Sequence, residues 1–265
     1  MLLGIDHLVI VVNDLEGAAE DYRRLGFTVV PGGRHPVGSH NSLITFADGS
    51  YLEIIAFYRQ ATDHRWWGPL EAGERLVDYC LRTDDLRGDT RKLRDGGVEI
   101  NDPVPWQRQR PDGYELKWLL SLARGSHRGV APFLIEDVTP REERVPPAPV
   151  HENGALGVNT LIVAVNETAG IARMYERALG RPGEEIENDG VAAAGVRFVV
   201  GRHALEFLAP AGAQSPLADW LEEYGPSPYS AEIATDAASA PMFDTSLTHG
   251  ANLQLRTRSR TREEK

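Results

Sequence analysis

The sequence contains very little cysteine. Among its 265 residues there is one, Cys80, so no disulfide can form within the chain. Nothing in the composition therefore requires an oxidising compartment. Cys80 lies in an apolar segment, and we expect a buried structural thiol there, because a nucleophilic cysteine needs an electropositive and accessible setting.

Long apolar runs and an excess of basic residues are also missing. No segment approaches the roughly 18 apolar residues of a membrane-spanning helix, and the first residues lead into a strand-like segment without the regions of a signal peptide. The formal net charge is −11, with the basic residues scattered, which argues against nucleic acid as the main partner. We expect a cytoplasmic protein with a small-molecule ligand and no membrane partner; whether it forms a homodimer is left open.

Three common motifs of catalysis and nucleotide binding are absent. The sequence has no phosphate-binding loop, nucleophile elbow or dinucleotide fingerprint. Its strand-to-helix turns carry capping residues such as Asn13 and Asp14, where a glycine-rich cradle would be needed. None of these three kinds of site is therefore expected.

What the sequence does contain is a repeated order of elements. Residues 5–12 are apolar and β-branched, as in a buried strand. A helix with apolar residues at helical spacing follows and ends at Gly26. Further strands are predicted over residues 27–31, 42–46 and 51–57, the last two joined by an Asp-Gly turn. The order is β-α-β-β-β.

The same order returns further along the chain. Glu53 lies 46 residues after His7 (53 − 7), and Glu206 lies 46 residues after Thr160 (206 − 160), each within a similar apolar strand. A looser copy over residues 76–138 places Asp78 in the slot of His7 and contains a polar insertion over 103–113. A fourth, shorter copy is predicted to begin near residue 228. The pattern predicts an α+β fold of repeated β-α-β-β-β modules.

Composition suggests the boundaries between these modules. Residues 143–155 are rich in proline and charge and are predicted to be a linker. The linker separates an N-terminal module pair, residues 1–142, from a degenerate C-terminal pair, residues 156–256. Residues 257–265 are charged and are expected to be a disordered tail.

Several segments resemble a known superfamily. IDHLVIVVNDL, YRRLGF and YLEII resemble the first module of a glyoxalase, or vicinal oxygen chelate, protein, and GGRHPVGSHNSLITF and PFLIEDVTP are similar to its glyoxalase-like branch. The resemblance extends over about residues 4–142 and, more loosely, 156–210. It implies that paired modules form curved mixed sheets around a cup for a small molecule, with metal ligands on the first and fourth strands of each module.

The resemblance assigns ligand positions to His7, Glu53, Asp78 and Glu136, and Glu136 is also a catalytic candidate. One imidazole with two or three carboxylates suits Mn²⁺, Fe²⁺, Mg²⁺ or Ni²⁺ better than a structural zinc. Each residue has a structural alternative: a satisfied core histidine for His7, and surface or solvent-facing carboxylates for the acids. In the C-terminal pair, Thr160 and the residue aligned with Asp78, Ser230, replace the histidines, so that pair is expected to be structural or auxiliary.

Two further segments carry candidate ligand-binding residues. His40 and Asn41 begin a strand after a glycine-rich turn; His40 could act as a general base or donate to the substrate, or it could only close the loop. His35, beside a proline, is interpreted as a loop residue. The polar insertion contains Arg108 and Arg110, and Trp118 follows it. Together with neighbouring aromatic residues, these side chains could form a lid that holds an anionic or planar ligand. The alternative is a solvated loop with its tryptophans packed on the sheet.

Three functions are compatible with these sequence features. The first is a metal-dependent enzyme acting on a small oxygen-bearing substrate as an isomerase, lyase or epimerase. The second is a metal-free protein that binds or sequesters a small molecule, which the missing second histidine favours. The third is an Fe²⁺ extradiol-type dioxygenase, which is disfavoured because its ligand triad uses two histidines and Asp78 replaces one of them.

Overall fold

The computed structural model describes residues 1–110, 112–238 and 240–257. The predicted disordered tail, apart from residue 257, lies outside the described residues. The first half of the chain contains two modules. Their elements are β1 (Leu2–Val11), α1 (Leu15–Arg24), β2 (Val30–Arg34), β3 (Ser39–Thr45), β4 (Tyr51–Phe57), α2 (Trp67–Glu71), β5 (Arg75–Thr83), α3 (Leu86–Asp95), β6 (Val104–Gln109), β7 (Glu115–Ser121) and β8 (Phe133–Asp137).

The eight strands of these two modules close into a barrel. Their order around it is β1-β4-β3-β2-β6-β7-β8-β5. β1 is parallel to β4 within its own module and antiparallel to β5, the first strand of the second module. Because the sheet is closed, alternate side chains of every strand point into one shared interior.

β1 is apolar on both faces because both faces are covered. Leu8 and Ile10 belong to the core that the barrel shares with α1 and the C-terminal half. Val9 and Val11 belong to a second apolar cluster inside the barrel. Asp14 begins α1, and its carboxylate accepts a hydrogen bond from the backbone N–H of Glu16 at 3.1 Å.

The second half repeats the module but leaves its sheet open. Its elements are α4 (Arg141–Arg144), β9 (Ala155–Ala164), α5 (Ala169–Leu179), β10 (Glu184–Asn188), β11 (Ala193–Val200), β12 (His203–Pro210), α6 (Pro216–Tyr224), β13 (Ser227–Thr235) and β14 (Asn252–Thr257). Six strands form one sheet in the order β10-β11-β12-β9-β13-β14. In the part of the chain that the structure describes, the fourth module contributes only β13 and β14, which is too few strands to close a second barrel.

Helix α6 fills the hollow of this open sheet. Leu217, Trp220 and Leu221 on α6 pack against Ile162 and Leu208 of the sheet. The predicted α+β architecture of repeated modules with curved mixed sheets is confirmed, and the barrel is the half that retains an interior.

Two predicted boundaries differ from the observed ones. β2 continues through Gly32 and Gly33, where a turn is predicted, because its strand pairing with β3 extends from Val30 to Arg34. The polar insertion, expected as a long loop, contains β6, which pairs with β7 as a regular antiparallel hairpin. The second shift matters for the site, because it places Trp106 and Arg108 on a strand that lines the interior of the barrel. No helix among the described residues is long and apolar enough to cross a membrane.

Candidate functional site

The barrel encloses a cavity of about 740 Å³, a volume usual for small-molecule sites. Its lining combines aromatic rings with many polar side chains, among them histidines, arginines and a carboxylate. The lining includes His7, His35, Asn41, Tyr51, Glu53, Ile55, His64, Arg65, Trp66, Trp106, Arg108, Trp118, Leu120, Phe133, Ile135 and Arg144.

His7 and Glu53 meet inside this cavity. His7 is on β1 and Glu53 is on β4, where Glu53 pairs with Val9, so both side chains point to the same face. His7 Nε2 lies 3.4 Å from Glu53 Oε2, and the two side chains are only 5% and 8% exposed. The ring of His7 stacks on Tyr51 with 4.6 Å between ring centroids. The structure therefore brings together the imidazole and the carboxylate singled out in the first module.

Asp6 fixes the orientation of the His7 ring. A β-bulge leaves Asp6 without a partner on β5, and its Oδ1 lies 2.8 Å from His7 Nδ1. Burial raises the pKa of the Asp6 carboxyl, but Arg144, Arg141 and His7 oppose this and hold the pKa well below its ordinary value. Because Asp6 is then ionised and can only accept, His7 Nδ1 carries the proton of this hydrogen bond.

In the neutral form of this ring, Nε2 carries the lone pair and faces Glu53. A carboxylate oxygen also offers only lone pairs, and the two acceptors lie 3.4 Å apart in a buried place. Two buried acceptors at this distance favour a shared cation, and either a proton or a metal ion can occupy the place between them. This juxtaposition is the main chemical feature of the cavity.

Asn41 connects Glu53 to a buried arginine. The Asn41 amide donates to Glu53 Oε1, and its oxygen accepts from the Gly33 N–H at 2.9 Å and from Arg108 Nη1 at 3.4 Å. Arg108 Nη2 donates to the carbonyl of Arg144 at 3.1 Å. Burial lowers the pKa of the Arg108 guanidinium. Its Nε atom is buried and has no hydrogen-bond partner among the described residues.

The three histidines near this network have different positions. His35 follows β2, lines the cavity and has its Nδ1 3.0 Å from Ser39 Oγ; burial lowers its pKa to about 4, so it is neutral at pH 7. His64 also lines the cavity, with a pKa lowered to about 4 by burial. His40 lies between two lining residues of β3, Ser39 and Asn41, and its ring packs at 5.9 Å from Tyr58, outside the cavity lining. The strand alternation that admits Asn41 turns His40 outward.

Asp78 lies under other side chains. Its Oδ2 accepts from Trp66 Nε1 at 2.9 Å and is 2.7 Å from Arg65 Nη2, and its Oδ1 accepts from the Tyr79 N–H. Arg65 and Trp66 line the cavity above it. The carboxylate is therefore paired with an arginine and capped by the indole of Trp66.

Glu136 points away from the cavity. Its neighbours Phe133 and Ile135 line the interior, and its own Oε2 accepts from the Leu86 N–H at 2.8 Å, at the start of α3. Strand register explains this placement. In the first module, Glu53 pairs with Val9, which lies two residues after His7. In the second module, the residue two after Asp78 is Cys80, and it pairs with Phe133. The slot that corresponds to Glu53 is thus occupied by Phe133.

The residues present do not assemble the four-ligand divalent site that the family resemblance implies. Among the described residues, the one group of three potential ligands with atoms within 4.8 Å of one another is Asp6, His7 and Cys80. Asp6 is already bonded to Arg141 and Arg144. Burial raises the pKa of the Cys80 thiol well above its ordinary value, which disfavours the thiolate that a metal needs. This possible metal site is therefore poorly matched in its donors.

The predicted lid is part of the barrel wall. Trp106 on β6 is directly opposite Trp118 on β7, and both line the cavity with Arg108. Arg110 lies beyond the end of β6, is partly exposed and pairs with Asp112. Of the insertion residues and their neighbours proposed for ligand contact, Arg108 and Trp118 line the cavity and Arg110 does not.

The short helix α4 (Arg141–Arg144) that follows β8, here called the strap, supplies residues that sequence reasoning missed. Arg144 on α4 is buried; it donates to both oxygens of Asp6 and of Asp137 and, at 2.8 Å, to the Tyr51 hydroxyl. It also lines the cavity. The segment was expected to be a linker because it is rich in proline and charge. A run of arginines beside an acidic strand end was the available signal.

In the C-terminal half, Glu206 is buried and accepts from Arg197 Nε at 3.0 Å. Thr160 is buried as well, and Ser230 pairs with Ile162 on β9. The acid is thus paired within its own sheet, beside a hollow that α6 occupies.

Comparisons with known proteins agree with this architecture. A family model described as "Glyoxalase-like domain" matches residues 5–179. A hypothetical protein from Staphylococcus aureus is similar in structure with a TM-score of 0.71 and 14% identity, over 97% of this chain and 100% of that chain. A mutant of 4-hydroxymandelate synthase from Streptomyces coelicolor is similar with a TM-score of 0.61 and 18% identity, over 89% of this chain and 72% of that chain. At these identities the likeness concerns the fold. A search of curated proteins found no match.

Proposed function

Since the chain belongs to the glyoxalase-like domain family, we propose that its N-terminal module pair is an enzyme that transfers a proton on a small oxygen-bearing substrate, as an isomerase, epimerase or lyase does. The observation that carries this proposal is the buried pair of acceptors, His7 Nε2 and Glu53 Oε2, 3.4 Å apart and open to the cavity. Buried acid–base groups that face a cavity are the usual equipment for such chemistry.

The proposed step takes a proton from a carbon next to a carbonyl group. The deprotonated pair accepts this proton, which then lies between Nε2 and Oε2, and the C–H electron pair moves onto the carbonyl oxygen. Arg108, joined to Glu53 through Asn41, offers positive charge to that oxygen. Return of the proton to the other face or to a neighbouring atom gives epimerisation or isomerisation, and loss of a leaving group instead gives the lyase outcome.

Asp6 positions His7 in this step. By accepting a hydrogen bond from Nδ1, it keeps the proton on Nδ1 and holds the ring with Nε2 towards the cavity, and its charge stabilises the protonated ring. Arg141 and Arg144 keep Asp6 ionised.

A proton fits the donor set better than Mn²⁺, Fe²⁺, Ni²⁺ or Mg²⁺ does. Catalytic metal sites commonly have three protein ligands, and no third imidazole, thiol or carboxylate atom of the described residues lies within 4.8 Å of both Nε2 and Oε2. The slots of the second module carry Phe133 and an arginine-paired Asp78.

The test is hydrogen exchange in D₂O, followed by ¹H NMR, on a panel of carbon acids that includes neutral ketones, esters and carboxylates. We expect exchange of at least one compound, insensitive to EDTA, and slower by about 10²-fold or more in His7→Ala and Glu53→Gln. Arg110→Gln is the matched control and should exchange at the wild-type rate. The proposal is wrong if no compound exchanges, if both variants keep the rate, or if EDTA abolishes exchange and one equivalent of a divalent ion restores it.

A metal-free binding protein is the second candidate. It is favoured by the five aromatic residues around the cavity and by the second-module slots, which carry Phe133 and an arginine-paired Asp78. In that case, an organic ligand would stabilise the protein against heat equally well in wild type and in Glu53→Gln, and no compound of the panel would exchange.

A further inference from the structure

We infer that the substrate is an aromatic monocarboxylate whose acidic carbon lies between the ring and the carboxylate. This inference rests on the proposed function, because it names the class of molecule that the proton-transfer site accepts. Three features of the cavity support it: a buried guanidinium without an acidic partner, a basic entrance, and a set of aromatic walls.

Arg108 is the first feature. It is 5% exposed, and the hydrogen-bond partners of its Nη atoms are an amide oxygen and a backbone carbonyl. Within the described residues, no carboxylate oxygen lies within 4.0 Å of this guanidinium. Two other arginines of the cavity have acidic partners: Arg144 pairs with Asp6 and Asp137, and Arg65 pairs with Asp78. Its Nε atom has no partner. A buried charge and a buried donor are both costly when unpaired, and a ligand carboxylate would satisfy both.

The entrance of the cavity has the same sign of charge. Arg59, Arg124 and Arg128 line its outer part, where Asp63 is the one acidic lining residue. This basic entrance is unusual on a chain with a formal net charge of −11. A local positive field of this kind attracts small anions and disfavours cations.

The walls of the cavity suit a flat ring. Trp66, Trp106, Trp118 and Phe133 all line it, with Trp106 opposite Trp118 on paired strands. Aromatic side chains hold planar ligands by offset stacking and edge-to-face contact, which a saturated ring cannot match.

A series of contacts places the proposed carboxylate-binding group, Arg108, next to the proposed acid–base pair. Arg108 contacts Asn41, Asn41 contacts Glu53, and Glu53 faces His7. A carboxylate on Arg108 therefore has its neighbouring carbon on the side of the acid–base pair. When the proton leaves that carbon, the extra charge moves onto the carboxylate oxygens and into the ring, so Arg108 binds the group on which the charge grows.

Calorimetric titration of the full chain at pH 7 with three probes tests this inference. The probes are 2-naphthylacetate, its neutral amide and cyclohexylacetate. We expect 2-naphthylacetate to bind and the two others to bind about tenfold or more weakly, the amide because it lacks the charge and cyclohexylacetate because it lacks the flat ring.

Two arginines of one hairpin provide matched variants. Arg108→Gln should weaken binding of 2-naphthylacetate by about tenfold or more, and Arg110→Gln should leave it unchanged, because Arg110 is outside the cavity. If Arg108→Gln does not fold, the comparison of carboxylate with amide on the wild-type protein still decides the question. Absence of 2-naphthylacetate binding at 1 mM would overturn the inference, as would equal binding of the amide or of cyclohexylacetate.

Exchange measurements separate failure of this inference from failure of the proposed function. If neutral or aliphatic carbon acids exchange in a His7-dependent way while 2-naphthylacetate does not bind, the substrate class is wrong and the proton-transfer function stands. If 2-naphthylacetate binds with the predicted selectivity but no compound exchanges, the proposed enzyme function is wrong and the site is a binding site for aromatic carboxylates.

Discussion

Replacing Asp6 by asparagine should destabilise the barrel more than any surface change of charge. Asp6 is fully buried and accepts from Arg144 at 3.1 and 3.0 Å, from His7 at 2.8 Å, and from Arg141. Each hydrogen bond to a charged group contributes about 1.5–3 kcal/mol, but these bonds share partners and do not add. Asp137 still neutralises Arg144 in the variant. We therefore expect a loss of about 3–5 kcal/mol, the usual cost of leaving one member of a buried ion pair without its partner.

Urea unfolding followed by circular dichroism measures this loss. Asp112→Asn is the control, because its pair with Arg110 is exposed, and it should leave the free energy of unfolding unchanged. The double variant Asp6→Asn/Arg144→Met should recover part of the loss, since it removes both buried charges. A loss below about 1 kcal/mol for Asp6→Asn would refute the argument that this ion cluster holds the strap and the His7 ring in place.

Three further predictions concern groups outside the exchange chemistry. Burial lowers the pKa of His35 from 6.5 to about 4, so its contribution to stability is complete above pH 6.5 and is lost as the pH falls towards 4. Between pH 7 and pH 4.5, the free energy of unfolding of the wild type should therefore fall by about 2–3 kcal/mol more than that of His35→Asn, as urea unfolding at the two pH values would show. Tyr79→Phe should cost about 1–3 kcal/mol in urea unfolding, because it leaves the Tyr175 hydroxyl, 2.6 Å away, without a partner, and Tyr79→Phe/Tyr175→Phe should cost less than the two single changes added together. Glu136→Ala should lower stability by about 1 kcal/mol through the lost hydrogen bond to the N–H of Leu86, while deuterium exchange of the substrate stays at the wild-type rate.

The fold could be predicted from local patterns because each module repeats them. The cap at Asp14, the apolar strand around His7 and the spacing to Glu53 recur with small changes at Thr160 and Glu206. Such signals depend on neighbours in sequence, and strand alternation then places His7 and Glu53 on one face.

The rest of the site could not be predicted because it depends on strand register and on long-range pairing. A shift of register by one residue exchanges the two faces of a strand, so a single sequence could not show that Phe133, and not Glu136, points inward. The roles of His35 and Asn41 depend on β2 running through two glycines. Arg144 reaches Asp6 across 138 positions of the chain, which no local pattern reports.

The duplicated modules also differ in what they contribute to the shared cavity: on the proposed function, the first provides groups for proton transfer and the second provides groups for ligand binding. The first module supplies the acid–base pair, His7 and Glu53, and the equivalent slots of the second module carry Asp78 under Arg65 and Phe133. Two identical modules would place four ionisable ligands around a metal ion. In this chain the second module lacks that set, and its strands contribute aromatic rings and the guanidinium of Arg108 to the same interior. On this argument, proton transfer depends on the first module and ligand selectivity on the second, so substitutions in the two modules should separate catalytic rate from binding affinity.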